Sequence, residues 1–222
     1  MKIDRHGKAK VLTQQEIQRL FTEGLVTVRD KTLCAVMLYT ACRVRECVTL
    51  KITDVYDRKG RVRSELIIRK GNTKGKLATR TIPVLDDLKR YLEMYKPLQT
   101  DDGYLFPGRW RRGRIHEDSA AAIFREGCQR ADIVGASTHS CRRTALTLMS
   151  NAGIPLRVIQ EVSGHRNLEQ LQKYLEVDSS QIRGAIASLS MLSAVDDDVS
   201  IGKYNFPDVI PNPDISTASS DS

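Results

Sequence analysis

Residues 137–177 read STHSCRRTALTLMSNAGIPLRVIQEVSGHRNLEQLQKYLEV, and the punctuation of this stretch decides how the chain folds. Ser137 or Thr138 is a good helix N-cap. Asn151-Ala152-Gly153 can end that helix in a left-handed cap, and Pro155 can open the next one in its first turn, where a missing N–H costs nothing. Gly164 can stop the second helix as Gly153 stops the first. The spacing predicts helices over 139–151, 155–163 and 168–176, followed by one at 179–190 with Ile182, Ala185, Ile186 and Leu189 on one face and Leu192 just beyond it.

Upstream, Thr13-Gln14-Gln15-Glu16 has the form of a capping box, and Ile17, Leu20 and Phe21 follow at helical spacing. Further helices are expected at about 30–39, 45–50, 86–95 and 118–131. Between them the period changes. Val62, Leu66, Ile67 and Ile68 form a β-prone run, the segment from Lys70 to Lys76 is rich in Gly, Asn and Lys, and Thr79 to Val84 is β-prone again, which predicts a hairpin with a cationic tip. The body is therefore expected to be α+β: mainly helical, with one small antiparallel sheet.

Composition narrows the partners. The chain has 222 residues, 41% of them hydrophobic, enough to bury a core, and a net charge of +8. That charge is uneven. Residues 193–222 hold six acids against Lys203, a balance of −5, so the first 192 residues carry +13. A surplus of this size favours a polyanion such as nucleic acid. The longest apolar run, Leu33–Cys42, falls short of the ~20 residues a membrane span needs, and MKIDRHGKAKVL lacks the apolar region of a secretory signal, so the expected location is the cytoplasm, with no membrane partner. Five cysteines without a C-x-x-C pair predict reduced, buried thiols and no zinc site. Residues 1–10 are expected to be a flexible N-terminus, and 193–222 an acidic disordered tail.

Several polar groups stand where packing does not require them. Arg43 follows an apolar helix at a break, with Glu46 near enough to orient it. Lys70, Lys74 and Lys76 mark the hairpin tip. His139 and Arg142 share a helix face close to an N-terminus that favours an anion. His165 follows the capping Gly164, and Tyr174 lies nine residues beyond it. Each has an ordinary structural reading: a surface arginine with an acidic neighbour, a solvated turn, a capping segment, a histidine answering a helix dipole, a half-packed tyrosine. Their joint order is what demands an explanation.

In that order the sequence resembles the catalytic domain of the tyrosine recombinases, the phage integrase and Xer group, over about residues 11–192. The family's first arginine box appears as TACRVRE, its H-x-L-R box as HSCRRT, its L-G-H box as SGH, and its terminal tyrosine as QKYLEV. Ala41-Cys42 stands where Gly-Leu is usual, and Ser163 where Leu is. The resemblance implies cleavage and rejoining of duplex DNA through a covalent 3′-phosphotyrosine, without metal or other cofactor. Tyr174 would be the nucleophile, with Arg43, Arg142 and His165 donating charge-assisted hydrogen bonds to the phosphate. Lys74 would be the general acid, with Lys70 and Lys76 as alternatives, His139 would relay the tyrosyl proton, and Glu46 would hold Arg43.

The family pattern includes an N-terminal helical domain closing a clamp on DNA, for which about ten residues remain here. The domain itself is then expected to supply cationic contacts, and Arg109, Arg111, Arg112 and Arg114, four arginines within six residues around the sole tryptophan, are candidates for backbone phosphates. The helix at 179–190 would either pack on its own domain or, as the resemblance implies, dock on a neighbouring copy in a tetramer on DNA, and the enzyme is expected at the nucleoid. Two alternatives share these residues: topoisomerase-like nicking and closing, and a recombinase-derived DNA-binding protein without catalysis.

Overall fold

The computed structural model describes residues 9–72, 78–97, 103–111, 113–173, 175 and 179–187. The chain divides into two compact units, Met1–Ile182 and Arg183–Ser222. Of the second, residues 183–187 are described, and they are helical.

In the first unit, helix α1 (Gln14–Arg19) starts at the expected capping box: Thr13 Oγ1 accepts from Glu16 N at 3.1 Å, and the Glu16 carboxylate accepts from Thr13 N at 3.0 Å. A π-helical turn, Leu20–Gly24, continues it. Helix α2 (Val28–Tyr39) is buried along most of its length, with Leu33, Cys34, Ala35, Val36 and Met37 fully enclosed, because it packs on several elements at once, the helices Asp86–Tyr95 and Thr138–Asn151 among them.

The helix expected at 45–50 ends early, as α3 (Val44–Val48), and a further short helix, α4 (Ile52–Val55), follows it. The reason is competition for the backbone. Leu50 O accepts from Leu105 N, and Ile52 N donates to Gly103 O, both at 2.8 Å, so the chain at Lys51 exchanges helix bonds for an antiparallel bridge to Tyr104. Strands β1 (Glu65–Ile68) and β2 (Arg80–Pro83) form the expected two-stranded antiparallel sheet, pairing Leu66 with Ile82 and Ile68 with Arg80. Helices α5 (Asp86–Tyr95), α6 (Glu117–Arg130), α7 (Thr138–Asn151), α8 (Leu156–Ser163) and α9 (Leu168–Gln172) follow, and α10 (Ser179–Ala187) runs across the boundary between the units. A short 3₁₀ turn, Arg109–Arg111, was not expected.

The main core joins α2, α5, α6 and β1, through residues such as Leu33, Leu66, Leu88, Leu92 and Phe124. A smaller cluster of Ala41, Leu146, Ile159 and Leu171 packs the end of α2 against α7, α8 and α9. All five cysteines are buried and free. Burial raises the thiols of Cys34 and Cys47 far above their ordinary value and that of Cys128 to about 11.

Candidate active site

Three breaks in the chain meet at one place: the α2–α3 junction, the start of β2, and the α8–α9 junction. At the first, Arg43 is the N-cap of α3, and Glu46 in its first turn accepts from Arg43 N at 2.8 Å. Glu46 is 1% exposed. It also receives Arg43 Nη1 at 3.4 Å, Arg80 Nη1 at 3.3 Å and Arg80 Nη2 at 2.9 Å, so a single carboxylate is gripped by two guanidiniums, one of them bidentate. Burial opposes the charge on Glu46, but the hydrogen bond and charge of Arg80, the Arg43 N–H and the charge of Arg142 outweigh it and hold the carboxyl below its ordinary range.

Arg80 was not foreseen as part of the site. The signal for it lies in strand alternation: Arg80 and Ile82 share a face of β2, and Ile82 is buried, so a cation on that face requires a buried partner. Its Nε donates to Val162 O at 3.0 Å, which ties β2 to the end of α8. There Gly164 turns the chain with φ +63°, and a Cβ on it would lie 2.9 Å from Arg80 Nη1, so the position needs glycine for its backbone and for its neighbour.

Arg142, in the first half of α7, is 1% exposed. Its Nη2 donates to Ser163 O at 2.7 Å, and its Nη1 to Ala41 O. Ala41 holds φ +50°, the left-handed region, where the resembling family commonly has Gly. Arg142 Nη2 also lies 3.2 Å from His165 Nε2, and Ser163 Oγ lies 2.8 Å from His165 Nδ1 and 3.2 Å from Gln160 O. Arg142 Nη2 is also 3.5 Å from His165 Nδ1, so the guanidinium sits against the imidazole ring rather than on the axis of one nitrogen, and Ser163 Oγ is the nearer polar partner of Nδ1. Burial, then the charges of Arg142, Arg43 and Arg80, push the His165 pKa down to about 3 against the opposing pull of Glu46. The ring is therefore neutral near pH 7 in the protein without DNA.

Three arginines against one carboxylate leave the site with surplus positive charge, and Arg43, whose side chain is 24% exposed, carries part of it toward solvent. Such a site suits an anion able to accept several N–H bonds. His139 is exposed in the first turn of α7, one turn from Arg142. Lys70 opens the turn after β1, its N–H donating to Thr79 Oγ1 at 3.0 Å. Lys74, Lys76, Tyr174 and Arg112 lie outside the described residues, as does the side chain of Arg111. Arg114 makes a bidentate pair with Glu117 at 2.9 and 3.2 Å, so its guanidinium braces the loop. Among the described residues no group of three or more His, Cys, Asp or Glu could hold a metal ion.

Comparison with known proteins gives this geometry a family. The model of the phage integrase family matches residues 10–181, most of the chain. The chain belongs to the phage integrase family. Tyrosine recombinase XerA of Pyrococcus furiosus is 29% identical over 187 residues, covering 82% of this chain and 63% of that protein. The crystal structure of XerA recombinase superposes with a TM-score of 0.66 at 24% identity, over 84% of this chain and 66% of that one. XerH site-specific recombinase bound to difH substrate, a pre-cleavage complex, gives 0.61 at 18% identity, over 80% and 53%. This integrase-family chain thus spans less than two thirds of the length of each of these proteins.

Proposed function

We propose that the chain is a site-specific DNA recombinase or integrase that cuts and rejoins duplex DNA through a covalent 3′-phosphotyrosine. One observation carries the reading: Arg43 and Arg80 converge on the buried Glu46 beside the Arg142–His165 pair, a cationic constellation suited to a phosphodiester. Family membership and the DNA complex of XerH support it.

In this mechanism Tyr174 Oη attacks phosphorus, and the P–O5′ bond breaks as the P–Oη bond forms. The tyrosyl proton passes to His139, and Lys74, or Lys70 or Lys76 in its place, gives a proton to the departing 5′ oxygen. Arg43 and Arg142, with an N–H of His165, take up the charge on the non-bridging oxygens; losing one such donor costs about 10²–10³ in rate. Glu46 positions Arg43 and Arg80. The phosphotyrosine conserves the energy of the phosphodiester, so attack by a 5′ hydroxyl reverses the step without a cofactor.

Residues 11–192 would form the catalytic region, with 1–10 and the acidic 193–222 outside it. The protein would act on DNA in the cytoplasm, at the nucleoid; no described helix is long and apolar enough to cross a membrane. Arg109, Arg111 and Arg112 would contact backbone phosphates. Ile182 and Ile186, 57% and 64% exposed on α10, would dock on a second copy within a tetramer on DNA. The decisive test uses nicked duplexes selected from genomic fragments that the protein binds. An SDS-resistant protein–DNA adduct is expected, and it should vanish in Tyr174→Phe. An adduct that persists in that variant removes Tyr174 as nucleophile; bound duplexes that never yield one would make the protein a DNA-binding module instead.

A further inference from the structure

Trp110 is the chain's sole tryptophan and is 81% exposed, at the tip of the loop between Pro107 and Arg114. An indole buries roughly 150–250 Å² where it contributes to stability, so one held in solvent has no packing role. Its backbone is unusual as well, at φ +58° and ψ +22°, a left-handed conformation that a bulky side chain rarely adopts. The loop base is pinned in four ways. Pro107 and Arg114 form an antiparallel bridge, Gly108 N donates to Gly113 O at 3.3 Å, Ile115 N donates to Phe106 O at 2.9 Å, and Arg114 braces Glu117. The tip is thus a presented feature on a fixed stem.

Two further observations suggest what it meets. Glu117, which anchors the loop through Arg114, lies 3.9 Å from Arg45 Nε on α3, the helix capped by Arg43, so the loop is linked to the cationic site. The tip is also strongly basic: the Arg109 guanidinium lies 5.5 Å from the indole ring centre, and Arg111 and Arg112 follow in sequence. An apolar plane beside the Arg109 guanidinium, in an arginine-rich stretch of sequence, complements the faces of nucleobases together with the phosphates beside them.

We propose that Trp110 is a base-contacting wedge: it stacks against unstacked bases of the duplex while the neighbouring arginines hold the backbone. This rests on the DNA-binding reading above and adds a contact with bases to one with phosphates. As the only indole, Trp110 reports on itself. The full chain would be titrated with a fluorescently labelled, mixed-sequence 30-base-pair duplex, following binding by label anisotropy and the indole by intrinsic emission and acrylamide quenching. Saturation should quench the emission and lower acrylamide access about twofold or more, Trp110→Ala should weaken binding about tenfold with the salt slope unchanged, and Trp110→Phe should bind nearly as the parent does. If anisotropy saturates while emission and access stay constant, or if Trp110→Ala binds like the parent, the wedge is excluded and DNA binding stands. Indole protection that grows with protein concentration alone assigns Trp110 to contact between copies and overturns the proposal. Failure to bind any duplex would remove the DNA-binding reading and the wedge together.

Discussion

At the scale of single residues, Glu46 and Ser163 organise the site by holding its arginines and histidine. Glu46 is the shared counter-charge of two arginines 37 positions apart, Arg43 and Arg80. Replacing it with Gln leaves a largely buried Arg80 without its ionic partner, and losing one member of a buried pair costs on the order of 3–5 kcal/mol. Glu46→Gln should therefore lower the urea midpoint and slow single-turnover adduct formation together. Ser163 acts more locally, its Oγ hydrogen-bonded to His165 Nδ1 at 2.8 Å. Ser163→Ala leaves that buried ring nitrogen without its hydroxyl partner, a penalty of about 1–3 kcal/mol. It should shift the tautomer balance, visible in the ¹⁵N shifts of His165, and slow cleavage about tenfold through the loosened Arg142.

At the scale of elements, the π-helical turn after α1 exists in contact with α6. A Cβ on Gly24 would lie 2.5 Å from Gly127 O, a backbone atom with little room to move, and Arg130 Nε donates to Gly24 O at 2.7 Å. Gly24→Ala should destabilise the fold by about 1–3 kcal/mol, read as a drop in the urea midpoint without a change in slope. Elements with strong local signals were legible in the sequence: the Thr13 capping box, the hairpin, and the Gly153, Pro155 and Gly164 punctuation of α7 and α8. The π turn and the break between α3 and α4 were not, because both depend on distant backbone, Gly127 in one case and residues 103–105 in the other. The site shows the same division. Arg43, Glu46, Arg142 and His165 sit in recognisable local patterns and come together, whereas Arg80 carries no local mark beyond its place on the buried face of a strand.

At the scale of the whole molecule, two buried groups give stability a pH dependence of one sign. His165 falls from an ordinary 6.5 to about 3 on folding. Between those values the unfolded chain binds a proton that the folded chain does not, so stability declines as pH falls from about 6.5 toward 3. Glu46, depressed by its arginines, contributes stability that is complete above the ordinary carboxylate pKa and is lost as pH falls through its lower folded value. Denaturation midpoints should drop from pH 7 to pH 4, and His165→Asn should flatten the upper part of that decline while leaving the lower part in place. The five enclosed cysteines have a consequence of another kind. Alkylating reagents attack thiolates, and here the sulfurs are shielded from solvent, with Cys34, Cys47 and Cys128 further held in the protonated form. Modification must then wait for the interior to open, so the pace at which α2, α3, α6 and α7 acquire label is an internal clock, timing how often each part of the core comes apart in otherwise native solution.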